Sequence, residues 1–207
     1  QLNYESLISG FELKGHWSKD FFKNNNNIVL ELGCGKGEYT VGLAQMYPNT
    51  NFVGIDIKGA RIWRGLVTAG EKKLKNVAFI RSRITLIEYM FGKNEVSEIW
   101  ITFPDPHPRE IKRKRRLTSP QFLNRYYNIL APDGMVHLKT DNIIFFEYTL
   151  DVIREGGHEL LYTTYDVYGE ENDKALTQFQ TYYEKKWLEN NTKIKYLKFR
   201  LKQIDSV

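Results

Sequence analysis

From Ile28 onward the chain alternates short apolar runs with stretches of helix-like composition, and this alternation limits the folds open to it. The runs cover residues 28–32, 52–55, 77–80, 99–103 and 135–139. Between them lie segments such as 38–47 and 58–73. Strands that are apolar throughout are buried on both faces, and a helix between consecutive strands is what a parallel connection needs. The expectation is an α/β fold with a parallel sheet covered on both sides. At 207 residues one domain is the default, and 42% hydrophobic content is enough to fill its core and excludes a disordered chain. Residues 1–27 read as an N-terminal extension whose Phe11, Leu13, Trp17, Phe21 and Phe22 are available for packing, with a loop at Asn24–Asn27.

Two helices carry local signals. Ser119-Pro120 reads as an N-cap with proline at the first helical position, before Phe122, Tyr126 and Ile129 at helical spacing. Asp133-Gly134 reads as a turn into the next strand. A second helix follows Asp141-Asn142, carries Ile143, Phe146, Leu150 and Ile153 on one face, and stops at Gly156-Gly157. Downstream, 158–164 reads as a strand and 178–189 as a helix. Residues 193–202 alternate basic and apolar side chains with a phase slip at Tyr196-Leu197. That pattern predicts a half-exposed, bulged strand.

The first strand runs into Gly33-Cys34-Gly35-Lys36-Gly37, and a helix follows. Glycines there let the backbone turn sharply and approach a ligand closely. The next strand ends at Asp56, which is placed to accept hydrogen bonds from ribose hydroxyls. A dinucleotide site would need a small residue where Glu38 stands. An acid just before the loop, Glu31, suits a nucleoside cofactor with a cationic end, such as S-adenosylmethionine. The plainer reading is a tight strand–helix turn with a capping acid.

The fourth strand ends in Phe103-Pro104-Asp105-Pro106-His107-Pro108. Prolines at alternate positions stop the ladder and restrict the backbone around Asp105. Ligands of open parallel sheets bind outside the carboxyl ends of the strands. Glu31, Asp56, Asp105 and Asp141 all fall at such ends. For any one of them, and most of all for Asp141, the alternative is a helix N-cap.

Residues 109–116 hold six basic side chains and one acid, Glu110, while the rest of the chain has 24 of each sign. A concentrated cationic segment beside the reaction centre suits a polyanion. The other reading is a solvated loop. The single cysteine, Cys34, excludes an internal disulfide and a cysteine-built zinc site. No metal is expected, since His16, His137 and His158 lack ligand spacing. No apolar run approaches the roughly 18 residues that span a membrane, so no membrane partner is expected and a cytoplasmic protein is.

Together these segments resemble the bacterial tRNA (guanine-N7-)-methyltransferases. The resemblance rests on the residues from Leu30 to Gly37, Gly54-Ile55-Asp56, the Asp-Pro segment, Lys114-Arg115-Arg116-Leu117, Lys139-Thr140-Asp141-Asn142 and Thr181-Tyr182-Tyr183-Glu184, in that order. It implies a Rossmann-like class I methyltransferase domain over 28–207, with a seven-stranded, mostly parallel sheet, helices on both faces and one antiparallel strand. It also implies methyl transfer from S-adenosylmethionine to N7 of a guanine in the variable loop of tRNA. By likeness, Glu31, Gly33, Gly35, Gly37 and Asp56 would hold the cofactor and Asp105 would be catalytic. Arg109, Asp141, Thr181, Tyr182, Tyr183 and Glu184 would contact the guanosine. Lys112, Arg113, Lys114, Arg115 and Arg116 would meet tRNA phosphates. Arg83 departs from the pattern: it stands where an acid would serve the adenine end of the cofactor. Another RNA methyltransferase, or an RNA-binding module with a vestigial cofactor loop, is the alternative. The resemblance leaves the oligomeric state open.

Overall fold

The structure is a computed structural model and describes residues 11–170 and 174–202. Seven strands form one sheet: β1 (Ile28–Leu32), β2 (Asn51–Asp56), β3 (Val77–Arg81), β4 (Val96–Thr102), β5 (Leu130–Thr140), β6 (Glu159–Thr164) and β7 (Lys195–Arg200). Their order is β3-β2-β1-β4-β5-β7-β6. The pairs from β3 to β5 are parallel, while β7 runs antiparallel to both β5 and β6. Every residue of β1 and β2 is buried, as expected of mainly apolar strands covered on both faces, and the buried set includes Glu31, Asn51 and Asp56.

The helices are α1 (Glu38–Met46), α2 (Gly59–Glu71), α3 (Ile87–Met90), α4 (Pro120–Tyr127), α5 (Ile143–Glu155), α6 (Lys174–Thr177) and α7 (Tyr182–Glu189). One face of the sheet packs on α4 and α5 through Phe122, Tyr126, Phe145 and Ile153. The other packs on α1 through Tyr39 and Leu43, with Val167, Ala175 and Leu176 beside them. Phe79 of β3 fills a space that three glycines create. A Cβ at Gly37, Gly54 or Gly65 would come within 2.5, 2.8 and 2.7 Å of its ring.

The segment before β1 is built into the same core from Phe11 on. Trp17 is buried, stacks on Phe11 and Phe91, and donates its indole N–H to the Met90 carbonyl at 2.9 Å. Phe22 is buried too, and Phe21 is left exposed.

Three local readings of the sequence change. β7 is not half-exposed: it lies between β5 and β6, and Tyr196 and Leu197 are both buried because they face opposite layers. The irregularity belongs to β6, between Leu160 and Tyr162. The 133–134 turn lies within β5, where the pairing with β4 shifts register. The helix expected over 178–189 starts at Tyr182, because Thr181 caps it.

Candidate active site

Gly33, Gly35 and Gly37 all take left-handed conformations, with φ of 76°, 56° and 69°, so the loop they form is closed to other residue types at little cost. The amides of Gly33 and Cys34 donate to the Ile55 carbonyl, which ties the loop to the end of β2. Asp56 completes this tie. One carboxylate oxygen accepts from the Gly35 amide at 2.9 Å, and the other accepts from the Lys58 amide at 2.8 Å.

Glu31 lies behind the loop and is buried. It accepts from the Thr40 amide at 2.8 Å, from the Thr40 hydroxyl, and from the Thr102 hydroxyl at 2.6 Å. Burial outweighs these hydrogen bonds and pushes its carboxyl up to about 7. Among the described residues it has no ion-pair partner, and its strand is adjacent to the one that ends in the Asp105 loop.

A cavity of about 270 Å³ opens over the loop. Gly33, Gly35, Lys36, Thr102 and Phe103 line it, together with Arg61, Thr181, Tyr182 and Tyr183. Tyr182 donates its amide to Glu38 at 3.3 Å, and Lys36 lies 5.1 Å from the centre of the Tyr182 ring. Arg61 donates to the Tyr183 hydroxyl at 3.3 Å. Nothing lies within 4 Å of where a Cβ at Gly33 or Gly35 would project. Glycines that leave open space, with a buried acid behind them, fit a nucleoside ligand with a cationic end.

The Asp105 segment leaves β4 with Phe103 and His107 both in the left-handed region, at φ of 48° and 41°. Each such non-glycine residue costs about 1 kcal/mol or more, so surrounding contacts must hold it. Phe103 donates its amide to the Lys139 carbonyl at 2.8 Å, and Asp105 accepts from the His107 amide at 3.0 Å. The Asp105 side chain is 72% exposed, and His107 Nδ1 lies 3.6 Å from one of its carboxylate oxygens.

Arg116 lies beneath this segment, not on the surface with the rest of the basic run. It is 1% exposed. Its guanidinium donates to the carbonyls of Pro106 and His107 at 3.2–3.3 Å and stacks 4.3 Å from the Tyr148 ring. The phosphate role expected of Arg116 is therefore withdrawn: the basic run turns inward at its last residue. Lys112, Arg113, Lys114 and Arg115 stay exposed in the 3-10 turn Glu110–Arg115, and exposed Arg109 precedes it.

One guanosine contact, that of Glu184, needs the same correction. Thr181 and Glu184 form a capping box at the start of α7, each side chain bonded to the other's amide. Glu184 is fully buried, pairs with Lys139 and accepts from the Tyr168 hydroxyl at 2.8 Å. It has no surface with which to meet a ligand. Thr181 keeps a place on the cavity wall, and Tyr182 and Tyr183 are exposed at its mouth. Asp141 does not cap α5; Asn142 does, accepting from the Phe145 amide at 2.9 Å. That leaves the half-buried Asp141 carboxyl free of a capping role, and desolvation raises its pKa.

Arg83 is exposed, precedes a 3-10 turn at Ile84–Leu86, and does not line the cavity. Glu31, Gly37 and Asp56 also stay off the lining and act from behind it. Arg61 and Thr102 were missed in the sequence, since each looks like an ordinary residue of its element, and Glu38 was read only as an obstacle to a dinucleotide. Among the described residues no cluster of His, Cys, Asp and Glu could hold a metal, and no helix is long and apolar enough to cross a membrane.

A family of putative methyltransferases matches residues 25–197. A tRNA (guanine-N(7)-)-methyltransferase of Christiangramia forsetii is 58% identical over 193 residues, which are 93% of this chain and 86% of that protein. This chain belongs to the tRNA (guanine-N7-)-methyltransferase family. The fold agrees with solved methyltransferases at low identity. The 16S rRNA methyltransferase KamB superposes with a TM-score of 0.67 at 14% identity, over 89% of this chain and 92% of that one. A SAM dependent methyltransferase from Aquifex aeolicus gives 0.58 at 13% identity, over 98% of this chain and all of that one. The sheet is accordingly the seven-stranded class I methyltransferase sheet, with β7 as its antiparallel strand.

Proposed function

We propose that the protein transfers a methyl group from S-adenosylmethionine to N7 of a guanine in tRNA, with the variable-loop guanine as its target, and that it works in the cytoplasm. The observation that carries this reading is Asp105. It is an exposed carboxylate on a stiffened, internally braced turn, at the end of a strand adjacent to the one that carries the glycine loop.

The bound cofactor supplies the methyl group on a sulfonium. The residues for it are Gly33, Gly35 and Thr102 along the cavity, with Glu31 and Asp56 behind. Guanine N7 has an in-plane lone pair and no proton, so the reaction needs no base at that atom. Positive charge moves onto the purine as the bond forms. The protein contributes by positioning and by fixed charge. Asp105 favours the developing charge and accepts from a guanine N–H. Tyr182 and Tyr183 offer aromatic faces at the cavity mouth, and Asp141 and Arg109 lie on the substrate side. Exposed Lys112, Arg113, Lys114 and Arg115 meet tRNA phosphates.

The test is methylation of unmodified tRNA with labelled S-adenosylmethionine, followed by identification of the product nucleoside. The expected product is 7-methylguanosine in the variable loop, lost in Asp105→Asn with cofactor binding retained. A methyl group on another atom, or full activity in Asp105→Asn, overturns the reading.

A further inference from the structure

The even balance of charge outside the basic run conceals a second cationic surface. Residues 57–70 contain Lys58, Arg61 and Arg64 and no acid, and β3 ends in Arg81, two residues before Arg83. The sheet gathers these five side chains on one edge. Lys58 follows β2, Arg61 and Arg64 lie in the first turns of α2, and Arg81 pairs in register with Asp56 at the carboxyl end of β3. The Arg81 side chain lies over Gly59, where an added Cβ would be 3.2 Å from it, and donates to the Ile57 carbonyl at 3.4 Å. Four of the five are exposed and Arg61 is partly so. Among the described residues none of them has an ion-pair partner.

This rim and the basic run occupy the same edge of the sheet, on opposite sides of the glycine loop. The strand order β3-β2-β1-β4 puts the rim at the edge strand and the run just beyond the Asp105 loop. A groove lined by Lys114 and Arg115 of the run extends as far as Thr85, two residues beyond Arg83. Its one acid, Glu88, is already paired with Arg125. On α2, between Arg61 and Arg64, Trp63 is 67% exposed, which is uncommon for tryptophan. Basic residues interleaved with an exposed aromatic ring suit a nucleic-acid strand, whose phosphates take the cations and whose bases stack.

We infer that Lys58, Arg64, Arg81 and Arg83 form a second RNA-backbone contact surface, with Trp63 as a stacking platform, on the far side of the cofactor cavity from the basic run. The inference rests on the tRNA reading above. An RNA that presents one base at Asp105 has backbone leaving the site in both directions. The basic run takes one direction and this rim takes the other. Arg83 thereby gains a role in RNA binding.

The test uses the full chain and an unmodified tRNA transcript, with binding measured across a salt series. Lys58→Ala/Arg64→Ala/Arg81→Ala, with Arg83→Ala added in a second variant, is expected to weaken binding. Each lost phosphate contact should lower the log–log salt slope by about 0.7–0.9. S-adenosylmethionine affinity of the triple variant should equal the parent's. Trp63→Ala should weaken binding about fivefold or more with the slope unchanged, as loss of a stacked base does. Parental affinity and slope in the alanine variants overturn the rim, and so does weaker binding at an unchanged slope, which marks a structural effect. Parental affinity in Trp63→Ala overturns the stacking platform. If the parent methylates tRNA while these variants bind it as the parent does, the rim fails and the tRNA reading stands. If the parent itself does not bind tRNA, both fail.

Discussion

Lys139 and Glu184 form an ion pair in which neither side chain has any solvent exposure. Lys139 is the penultimate residue of β5, and its backbone carbonyl holds the Phe103 amide at the start of the Asp105 segment. Glu184 sits in the first turn of α7 and fixes Thr181 through the capping box. The pair therefore joins the base of the Asp105 loop to the turn that carries Tyr182 and Tyr183. Burial lowers the Lys139 pKa, and Glu184 opposes that shift. Two sequence signatures with 38 residues between them, Lys139–Asn142 and Thr181–Glu184, turn out to be two halves of one buried contact.

Glu184→Gln keeps the shape and the capping box and leaves Lys139 buried without a counter-charge. It should cost about 3–5 kcal/mol of stability, the usual penalty for breaking a buried pair. Lys139→Met/Glu184→Gln removes both charges and should recover a large part of that loss. Denaturant unfolding of the two variants decides it. A double variant no more stable than the single one would show that the charges do not interact as described.

Glu31 should make stability depend on pH. Its folded pKa of about 7 lies above the ordinary 4.5, so between these values the folded state binds more protons than the unfolded state. The contribution is complete below 4.5 and is lost as pH rises through 7. The 2.5-unit displacement corresponds to at most about 3 kcal/mol. The difference in stability between the parent and Glu31→Gln should therefore shift against the parent from pH 5 to pH 8. A cationic ligand at the loop favours the ionised form, so cofactor affinity should rise with pH over the same range in the parent and stay flat in Glu31→Gln. Titration calorimetry in buffers of different ionisation enthalpy would detect the released proton. Equal proton release by the two proteins would rule out Glu31 as its source.

The sheet, its parallel half and the loops at its carboxyl ends were legible because unbroken apolar runs, glycines and prolines act locally. Strand β1, its glycine turn and the Asp105 segment follow from a few adjacent residues each. The place of β7 was not legible. Tyr196-Leu197 looks like a slip in alternation when only one face is assumed to be buried, and only the long-range pairing with β5 and β6 shows both faces covered. The inward turns of Arg116 and Glu184 were hidden for a related reason. A charged residue reads as surface until its buried partners are known, and those partners are backbone carbonyls at 106 and 107 in one case and a lysine of β5 in the other. The rim on α2 and β3 escaped notice because net charge averages over the chain, while the fold gathers cations from two segments onto one edge.

Neutralising the exposed part of the basic run should separate it from its buried end. Lys112→Ala/Arg113→Ala/Lys114→Ala/Arg115→Ala should weaken tRNA binding and lower the salt slope by up to about 3–4, at about 0.7–0.9 for each phosphate contact. Cofactor affinity should not change, since none of the four lines the cavity. Binding measured from low to moderate salt provides the check. A parental slope would mean that these side chains are solvated and meet no phosphate.

Arg116 should behave in the opposite way. Its guanidinium holds the carbonyls of Pro106 and His107, and with them the left-handed His107 that anchors Asp105. Arg116→Ala removes those donors and the stack on Tyr148. Lysine keeps the charge but cannot reproduce the planar fork, so Arg116→Lys should not restore activity. Displacing a reacting group by about 1 Å can cost on the order of 100-fold in rate, and a loss of that order in kcat is expected for both variants. S-adenosylmethionine affinity should stay within about a few fold, and the tRNA salt slope should equal the parent's. Steady-state kinetics and the salt series should be run on protein first shown by its unfolding transition to be folded. A slope lowered by one phosphate contact with kcat intact would put Arg116 back on the surface with its neighbours. A lost kcat at an unchanged slope would establish it as the residue that positions Asp105.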